Sequence, residues 1–281
     1  MPELPEIDAL AAFFTAEAVG DFIAATEVAE LSLLKTFEPP LEALHGLELT
    51  GVSRAGKRLV LEFDGLELVF GFARGGWIVW HQQAPSSRVK MGRGPLGMRV
   101  HLASGAAFDL REEGSKKNAA AYVVQDRAEV PAIAALGPDA LTISLDQFAA
   151  VLAGSRARIK TVLQDQHLIA GIGNAYSDEI LHFARVSPYA AANTVEPEPV
   201  HDALRRLLGA AREALIGLPP GRIKAAKQKG LQVHGRTGEP CPVCGTSIAE
   251  VSFSERSMQY CPGCQTGGKR LSDRRMDRLL K

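Results

Sequence analysis

The sequence predicts an α+β protein in which an N-terminal helix and a β-sandwich precede a helical domain that ends in a cysteine-bearing β-hairpin. Three observations predict this class: apolar residues at helical spacing near the N-terminus, short strands with frequent turns over residues 20 to 130, and helical patterns from residue 145 onward. We place boundaries after residues 130 and 235, which gives three domains, 1–130, 131–235 and 236–281.

The first helix covers about residues 4 to 19, where Ile7, Leu10 and Phe14 keep a helical period. It follows the segment Met1-Pro2-Glu3-Leu4-Pro5-Glu6, and removal of Met1 would expose the amine of Pro2. An α-amino group titrates at about pH 8 and a lysine at about pH 10.4, so a terminal amine offers more of its unprotonated, nucleophilic form. Pro2 is therefore a candidate nucleophile, and the adjacent Glu3 a candidate proton carrier.

A structural interpretation of the same segment stays open. Pro5 suits the first turn of a helix, and acids at positions 3, 6 and 8 favour the positive end of the helix dipole. The two interpretations are compatible, since a helix that begins here also fixes the position of the N-terminus.

Residues 20 to 130 carry alternating strands separated by glycine and polar breaks, a pattern typical of a β-sandwich. The clearest strands cover residues 59–63, 66–72, 77–81, 98–102 and 121–124. Lys57 lies in a turn that leads into the first of these strands. A lysine at a strand edge commonly only prevents aggregation, but the turn also makes a fixed position plausible.

Residues 130 to 138 form the connection to the second domain, whose helices we expect near residues 145–153, 157–165, 174–183 and 198–215. Pro219-Pro220-Gly221 closes the last helix. Between two helices lies Gly171-Ile172-Gly173-Asn174. Glycines let backbone amides approach an anion, and Asn174 could cap the second helix while offering its amide to a phosphate. A plain helical hairpin is the alternative.

Cys241, Cys244, Cys261 and Cys264 form two CxxC pairs and are the four cysteines of the chain. Two such pairs complete the closed tetrahedral set typical of a structural zinc ion, so we expect one zinc without an open catalytic position. Two disulfides are the less favoured alternative in a chain without a secretory signal. The segment between the pairs suits a β-hairpin, with Arg256 near its tip or second strand as a candidate phosphate contact.

Charge is distributed unevenly along a chain whose net charge is zero. Residues 1 to 50 hold ten acids and one lysine, whereas residues 221 to 281 hold twelve Lys or Arg and five acids. Such asymmetry fits one nucleic-acid-facing side, although a charge run is also typical of a solvated surface. No run of about eighteen apolar residues occurs, and we expect no membrane span.

In these three motifs and their order, the chain resembles the formamidopyrimidine-DNA glycosylase and endonuclease VIII family of base-excision repair enzymes, as a divergent member. Residues 2–6 resemble its N-terminal signature, residues 171–174 its helix-two-turn-helix, and residues 234–265 its zinc finger. The resemblance covers the whole chain. It implies a glycosylase with abasic-site lyase activity that acts on oxidised bases in double-stranded DNA by β,δ-elimination.

The resemblance also implies roles for single residues. Pro2 would form the Schiff base, Glu3 would act as general acid or base, and Lys57 would be the phosphate-binding and catalytic lysine. Glu6 is a weaker candidate for the catalytic proton carrier, with positioning of the N-terminus as its alternative role. The DNA contacts implied are those of Lys160, Gly173, Asn174 and Arg256. We expect a cytoplasmic, nucleoid-associated bacterial protein that acts as a monomer.

The chain departs from the family pattern where lesions are recognised. Family members of the formamidopyrimidine type carry an Asp-Pro-Arg-Arg-Phe-Gly loop, whereas this chain has Asp109-Leu-Arg-Glu-Glu-Gly114 and lacks the phenylalanine wedge. Arg74 stands near the place of an expected methionine, and the lesion-capping loop is shortened to residues 219–230. Two alternatives therefore stay open: an abasic-site lyase without glycosylase activity, and a non-catalytic protein that binds damaged or structured DNA. A zinc-ribbon module of transcription or RNA metabolism is disfavoured by the set Pro2, Glu3 and Lys57.

Overall fold

The computed structural model describes residues 1–92, 94–114, 116–253 and 256–272, with the backbone alone for residues 253 and 256. The chain forms two compact units. The first comprises Met1–Ala135 and Arg212–Lys227, and the second comprises Leu136–Ala211 and Gln228–Lys281. The division into domains 1–130, 131–235 and 236–281 stays a prediction.

Helices and strands are numbered here in chain order over the described residues. The helices are α1 (Leu4–Glu17), α2 (Pro131–Ala134), α3 (Leu145–Ala153), α4 (Ile159–Gln164), α5 (Asn174–Phe183), α6 (Pro197–Leu215), α7 (Pro220–Gly230) and α8 (Pro262–Gln265). The strands are β1 (Ile23–Val28), β2 (Gly51–Ala55), β3 (Arg58–Glu62), β4 (Glu67–Gly71), β5 (Gly76–His81), β6 (Leu96–Leu102), β7 (Ala107–Glu112), β8 (Ala120–Val124), β9 (Ala249–Phe253) and β10 (Arg256–Tyr260).

Two four-stranded antiparallel sheets build the first unit. One has the order β1-β6-β7-β5 and the other the order β2-β3-β4-β8. A single hydrophobic cluster takes side chains from both sheets, including Leu59 and Phe70 from one and Phe108 from the other. The predicted N-terminal helix and β-sandwich are confirmed.

Helix α1 belongs to the same core. The ring of Phe14 contacts that of Phe108 edge to face, with 4.9 Å between centroids, and both side chains are fully buried. Apolar burial of this kind contributes roughly 1.5–3 kcal/mol per large side chain. Because α1 begins at Leu4, this packing fixes where the N-terminus lies on the sandwich.

A buried ion pair connects β6 to β7 within the first sheet. Arg99 Nε lies 2.7 Å from Asp109 Oδ1 and Arg99 Nη2 lies 3.0 Å from Asp109 Oδ2. His81 Nε2 on β5 lies 3.1 Å from the same Oδ2. Burial opposes ionisation of Asp109, but the two hydrogen bonds from Arg99 and the nearby imidazole of His81 outweigh burial and hold the pKa of Asp109 below its usual value.

The second unit contains α3, α4, α5, the hairpin β9–β10 and α8, and the helices expected near 145–153 and 174–183 lie at those residues. One expectation was wrong. Residues 219–230, expected as a shortened loop, form helix α7 over most of their length. Pro220 occupies its first position, where a missing N–H costs nothing, and the Lys and Ala residues that follow favour helix. Among the described residues, no helix has the length and apolarity needed to cross a membrane.

Candidate functional site

The N-terminus is held by a buried acidic arrangement at the start of α1. Glu3 is the residue before the first helical turn, and its backbone N–H donates to Glu6 Oε2 at 2.8 Å. Glu3 and Glu6 are 2% and 1% exposed. Carboxylates seldom lie so deep without a cation or several donors, so this pair needs a compensating charge.

Lys227 on α7 supplies that charge. Its Nζ lies 2.6 Å from Glu6 Oε2 and 3.6 Å from Glu3 Oε1. Burial acts to lower the pKa of Lys227, but Glu3 and Glu6 outweigh burial, and the pKa is raised above its usual value. Lys227 is therefore a permanent cation at neutral pH. It was not among the residues predicted from the sequence.

The amine at the chain start lies in the field of these groups. Burial lowers the pKa of the Met1 amine, and the charges of Lys227 and Lys224 lower it further, while Glu3 and Glu6 act in the opposite direction. Pro2 itself is buried. Because the pKa is lowered on balance, a larger fraction of an amine in this position is unprotonated at a given pH, and the unprotonated form is the one that attacks a carbon electrophile. That attack by Pro2 takes place here stays a prediction.

Lys57 occupies the turn between β2 and β3, as the sequence predicts. Gly56 before it has φ of +59°, a conformation that favours glycine and closes this tight turn. Next to the turn, Arg54 Nε lies 2.6 Å from Asp8 Oδ1, which connects β2 to α1. The phosphate-binding role of Lys57 stays a prediction.

The glycine-rich turn precedes α5, but Asn174 does not cap that helix. Gly173 is the N-cap, and Asn174 is the first helical residue. The Asn174 side chain instead donates from Nδ2 to the Ser257 carbonyl at 2.8 Å and accepts from Gln164 at 3.0 Å. The capping expectation was wrong because glycine, with φ of −125°, fills the extended N-cap position itself. The expected DNA contacts of Gly173 and Asn174 stay predictions.

Lys160 lies inside the second unit. Its Nζ donates to the Asn174 carbonyl at 3.1 Å, to Ser177 Oγ at 2.8 Å and to Asp178 Oδ1 at 2.6 Å, and the residue is 8% exposed. An ammonium has three N–H groups, and these acceptors match them in number. In this structure Lys160 organises the glycine-rich turn, and a direct phosphate contact stays a prediction.

The four cysteines cluster beside the hairpin with a geometry that fits a metal. Cys241 Sγ lies 3.8 Å from Cys264 Sγ, and Cys244 Sγ lies 3.3 Å from Cys261 Sγ. Four sulfurs at about 2.3 Å from a tetrahedral zinc lie about 3.8 Å apart, whereas a disulfide needs about 2.05 Å. All four are free thiols. The donor set therefore fits one structural zinc ion, with no position left for a reacting water.

His182 on α5 joins this cluster and was missed from the sequence. Its Nε2 lies 3.3 Å from Cys241 Sγ. Within the described residues, the candidate ligand atoms of His182, Cys241, Cys261 and Cys264 all lie within 4.8 Å of one another. Since the cysteines already supply four sulfurs, His182 is placed to donate an N–H to the thiolate of Cys241. Such second contacts orient metal ligands and offset their charge.

Buried acids on α5 tie the finger to the helices. Glu179 accepts backbone N–H groups from Gln232, Val233 and His234 at 2.8, 2.9 and 2.8 Å. Its neighbour Asp178 accepts from Lys160 Nζ and from His234 Nδ1 at 2.7 Å. Helix α5 therefore fixes the position of residues 232–234, which precede the first cysteine pair.

Two further regions named from the sequence are the hairpin position of Arg256 and the segment that corresponds to the family's wedge. Arg256 opens β10 opposite Phe253, but its side chain lies outside the described residues. Where the family's wedge would be, Glu113 is exposed, and the carboxylate of Glu112 accepts the backbone N–H groups of Asn118 and Ala119, each at 2.9 Å. The sequence also predicts a basic C-terminal tail from residue 266 onward, of which residues 273–281 lie outside the described residues.

Comparison with known proteins assigns the same family to all three segments. The formamidopyrimidine-DNA glycosylase N-terminal domain matches residues 1–114, its H2TH domain matches residues 135–217, and a zinc finger found in FPG and IleRS matches residues 238–267. A formamidopyrimidine-DNA glycosylase of Solibacter usitatus is 32% identical over 276 residues, 94% of this chain and 99% of the relative. An uncharacterized formamidopyrimidine-DNA glycosylase-like protein of Mycobacterium tuberculosis is 54% identical over 157 residues, 55% of this chain and 99% of the relative.

Solved structures agree with these matches. The Lactococcus lactis Fpg in complex with N7-benzyl-Fapy-dG-containing DNA has a TM-score of 0.83 and 25% identity, covering 94% of this chain and all of that one. The same species' Fpg with abasic-site DNA has a TM-score of 0.82 at 24% identity, over 94% and 99% of the two chains, and supports the fold. One structural zinc ion belongs to this protein, since the matched finger coincides with the cysteine cluster. The chain belongs to the formamidopyrimidine-DNA glycosylase family of base-excision repair enzymes, which remove damaged bases and cleave the abasic site.

Proposed function

We propose that this protein, once Met1 is removed, excises oxidised bases from double-stranded DNA and cleaves the resulting abasic site through the amine of Pro2. The observation that carries the proposal is the buried set of Glu3, Glu6 and Lys227 around the N-terminal amine. A surface helix has no need of two buried carboxylates at its first turn. An amine that must lie close to a proton carrier does need a carboxylate, and the ammonium of Lys227 offsets the negative charge that would otherwise favour the protonated amine.

The reaction begins when the damaged nucleotide leaves the base stack, because C1′ cannot be reached within a duplex. The Pro2 nitrogen forms a bond to C1′ as the bond to the base breaks, and the electron pair leaves with the base. Ring opening of the sugar gives an iminium ion between Pro2 and C1′. The proton on C2′ becomes acidic, and its removal breaks the C3′–O bond and expels the 3′ phosphate. Removal of the C4′ proton from the resulting conjugated iminium then breaks the C5′–O bond and expels the 5′ phosphate. Glu3 is the proposed carrier of these protons, and Glu6 holds the N-terminus in position.

Phosphate contacts are proposed for both units. Lys57 projects from a tight turn of the sandwich, and a fixed lysine stabilises phosphate charge without reorganisation. Gly173, Asn174, Lys160 and Arg256 are the proposed contacts of the second unit. Lys160 would act through the turn that it organises, given its internal hydrogen bonds. The four cysteines, as ligands of the zinc ion, would stiffen the hairpin that carries Arg256.

The range of lesions is proposed to differ from that of a typical 8-oxoguanine glycosylase. An exposed Glu113 stands in place of the wedge, and α7 replaces the lesion-capping loop. A capping loop is dispensable for oxidised pyrimidines in the endonuclease VIII branch of the family. We expect oxidised pyrimidines to be excised at least as fast as 8-oxoguanine. We further propose a monomer that acts on chromosomal DNA in the bacterial cytoplasm, since the family relatives named above are bacterial.

The test is borohydride trapping of the processed protein on duplexes that carry an abasic site, 8-oxoguanine or an oxidised pyrimidine. Wild-type protein should form an adduct on each cleaved substrate. Glu3→Gln should abolish trapping on the damaged bases, and Glu17→Gln, at the exposed far end of α1, is the matched control. Adducts with abasic DNA alone would identify a lyase without glycosylase activity. Tight binding without any adduct would favour a non-catalytic binder.

A further inference from the structure

Lys227 stands out among the lysines of α7. Lys224 and Lys229 on the same helix are exposed, whereas the side chain of Lys227 is 12% exposed and faces two carboxylates. Its neighbours Ile223 and Ala226 pack on the core of the first unit. Burying an ammonium is costly unless it is paired, and replacing such a group with an apolar one often stabilises a protein. A contribution to folding stability therefore does not by itself explain why a lysine occupies this buried position.

Its pairing is specific. Glu6 Oε2 accepts both from Lys227 Nζ at 2.6 Å and from the Glu3 backbone N–H at 2.8 Å, so the ammonium and the residue after Pro2 share one oxygen. Glu3 Oε1 lies 3.6 Å from the same Nζ. Moving the ammonium would release Glu6 and leave two buried carboxylates without this cation.

We propose that Lys227 is a positioning residue of the amine site, whose ammonium holds Glu3 and Glu6 in place and supplies a fixed positive charge beside the N-terminal amine. This inference rests on the proposed function. Lys227 does not itself attack the substrate, because an ammonium has no lone pair. Its effect passes through the neighbours that it contacts.

Two consequences follow from electrostatics. A cation beside an amine disfavours the protonated amine, so more of the nucleophilic form is present at neutral pH. The same cation offsets the negative charge of Glu6 and Glu3, whose nearest oxygens lie 2.6 Å and 3.6 Å from its Nζ. The charged groups around the amine are Glu3 and Glu6 on α1, and Lys224 and Lys227 on α7. The sheet packed on α1 adds Arg54, which pairs with Asp8, and Arg58 and Glu62 on β3.

The experiment measures the rate of borohydride trapping on abasic-site duplex from pH 5.5 to 9.5, under single-turnover conditions and with verified Met1 removal. The variants are Lys227→Met, which removes the charge, Lys227→Arg, which keeps it, and Lys229→Met, an exposed control on the same helix. Loss of the cation raises the pKa of the amine, so the acidic limb of the rate profile moves to higher pH. A shift of about one unit corresponds to about a tenfold lower rate on that limb.

The expected result is an alkaline shift in Lys227→Met, with wild-type profiles in Lys227→Arg and Lys229→Met. A Lys227→Met profile with wild-type position and height would overturn the inference. Absence of any adduct with wild-type protein would instead reject the proposed function. Should Lys227→Met fail to fold, Lys227→Gln is measured in its place, since it is neutral but still donates to Glu6, and the same shift is expected.

Discussion

His182 Nε2 lies 3.3 Å from Cys241 Sγ, so the helix that follows the glycine-rich turn contacts the first cysteine of the finger directly. Both residues are buried, at 5% and 3% exposure. An imidazole N–H beside a zinc-bound thiolate offsets part of its negative charge. The contact makes the metal site partly dependent on a residue outside the two CxxC pairs.

Replacing His182 with Phe should accelerate zinc loss. The N–H donor disappears while the ring volume is roughly kept, and contacts of this kind change metal affinity about 10-fold or more. The measurement is the rate of zinc transfer to a chromogenic chelator. His182→Gln, which keeps an N–H donor, should fall between Phe and wild type. Equal rates for all three proteins would show that the histidine only fills space.

Glu179→Gln should destabilise the second unit. The carboxylate accepts three backbone N–H groups, and an amide would turn its own NH₂ group toward at least one of them. Leaving a buried donor unsatisfied costs about 1–3 kcal/mol. The free energy of unfolding in urea is the measurement, and substitution of the exposed Glu198 in the first turn of α6, Glu198→Gln, is the control. A change below about 0.5 kcal/mol, the range of neutral surface substitutions, would contradict this role for Glu179.

Asp109→Asn should change the response to acid. The pKa of Asp109 is lower in the folded protein than in the unfolded chain, since Arg99 and His81 outweigh burial. Its contribution to stability is therefore complete above the unfolded pKa, about 3.9, and is lost as pH falls through the folded value. The melting temperature of wild-type protein should drop more steeply below about pH 4 than that of Asp109→Asn. The variant should also be less stable at pH 7, by roughly 3 kcal/mol, because Arg99 loses its charged partner.

Arg256→Ala should weaken DNA binding and its dependence on salt. A phosphate contact releases counterions, so the slope of log affinity against log salt should fall by about one unit. Arg256→Lys keeps the charge and should keep the slope while losing affinity, because lysine cannot bind a phosphate through a bidentate fork. Fluorescence anisotropy with abasic-site duplex at several salt concentrations gives both quantities. An unchanged slope in the alanine variant would exclude the phosphate contact.

Features with local causes could be predicted from the sequence. Helix Asn174–Phe183 has its own apolar period and a glycine before it, and the strand Arg58–Glu62 is buried on both faces in a run of apolar residues. The CxxC spacing similarly predicts the cysteine cluster without knowledge of the fold.

Features that depend on distant partners could not be predicted in this way. Lys227 and Glu6 are 221 positions apart in the sequence, and His182 and Cys241 are 59 positions apart. No local sequence pattern can therefore predict either contact. The end of α6 shows a different difficulty. Pro219-Pro220-Gly221 is typical of a segment that ends a helix, but proline is also common in the first turn of a helix. The residues after Pro220 favour helix, and they form α7.

Attack by the Pro2 amine is tested most directly by identifying the residue that becomes bonded to DNA. Processed protein is trapped on an abasic-site duplex with borohydride, digested with nuclease and protease, and sequenced by tandem mass spectrometry. The expected product carries a sugar remnant on the nitrogen of Pro2, in the peptide that begins with Pro2-Glu3-Leu4. A remnant on the side chain of Lys57, Lys224 or Lys227, with an unmodified N-terminus, would contradict it.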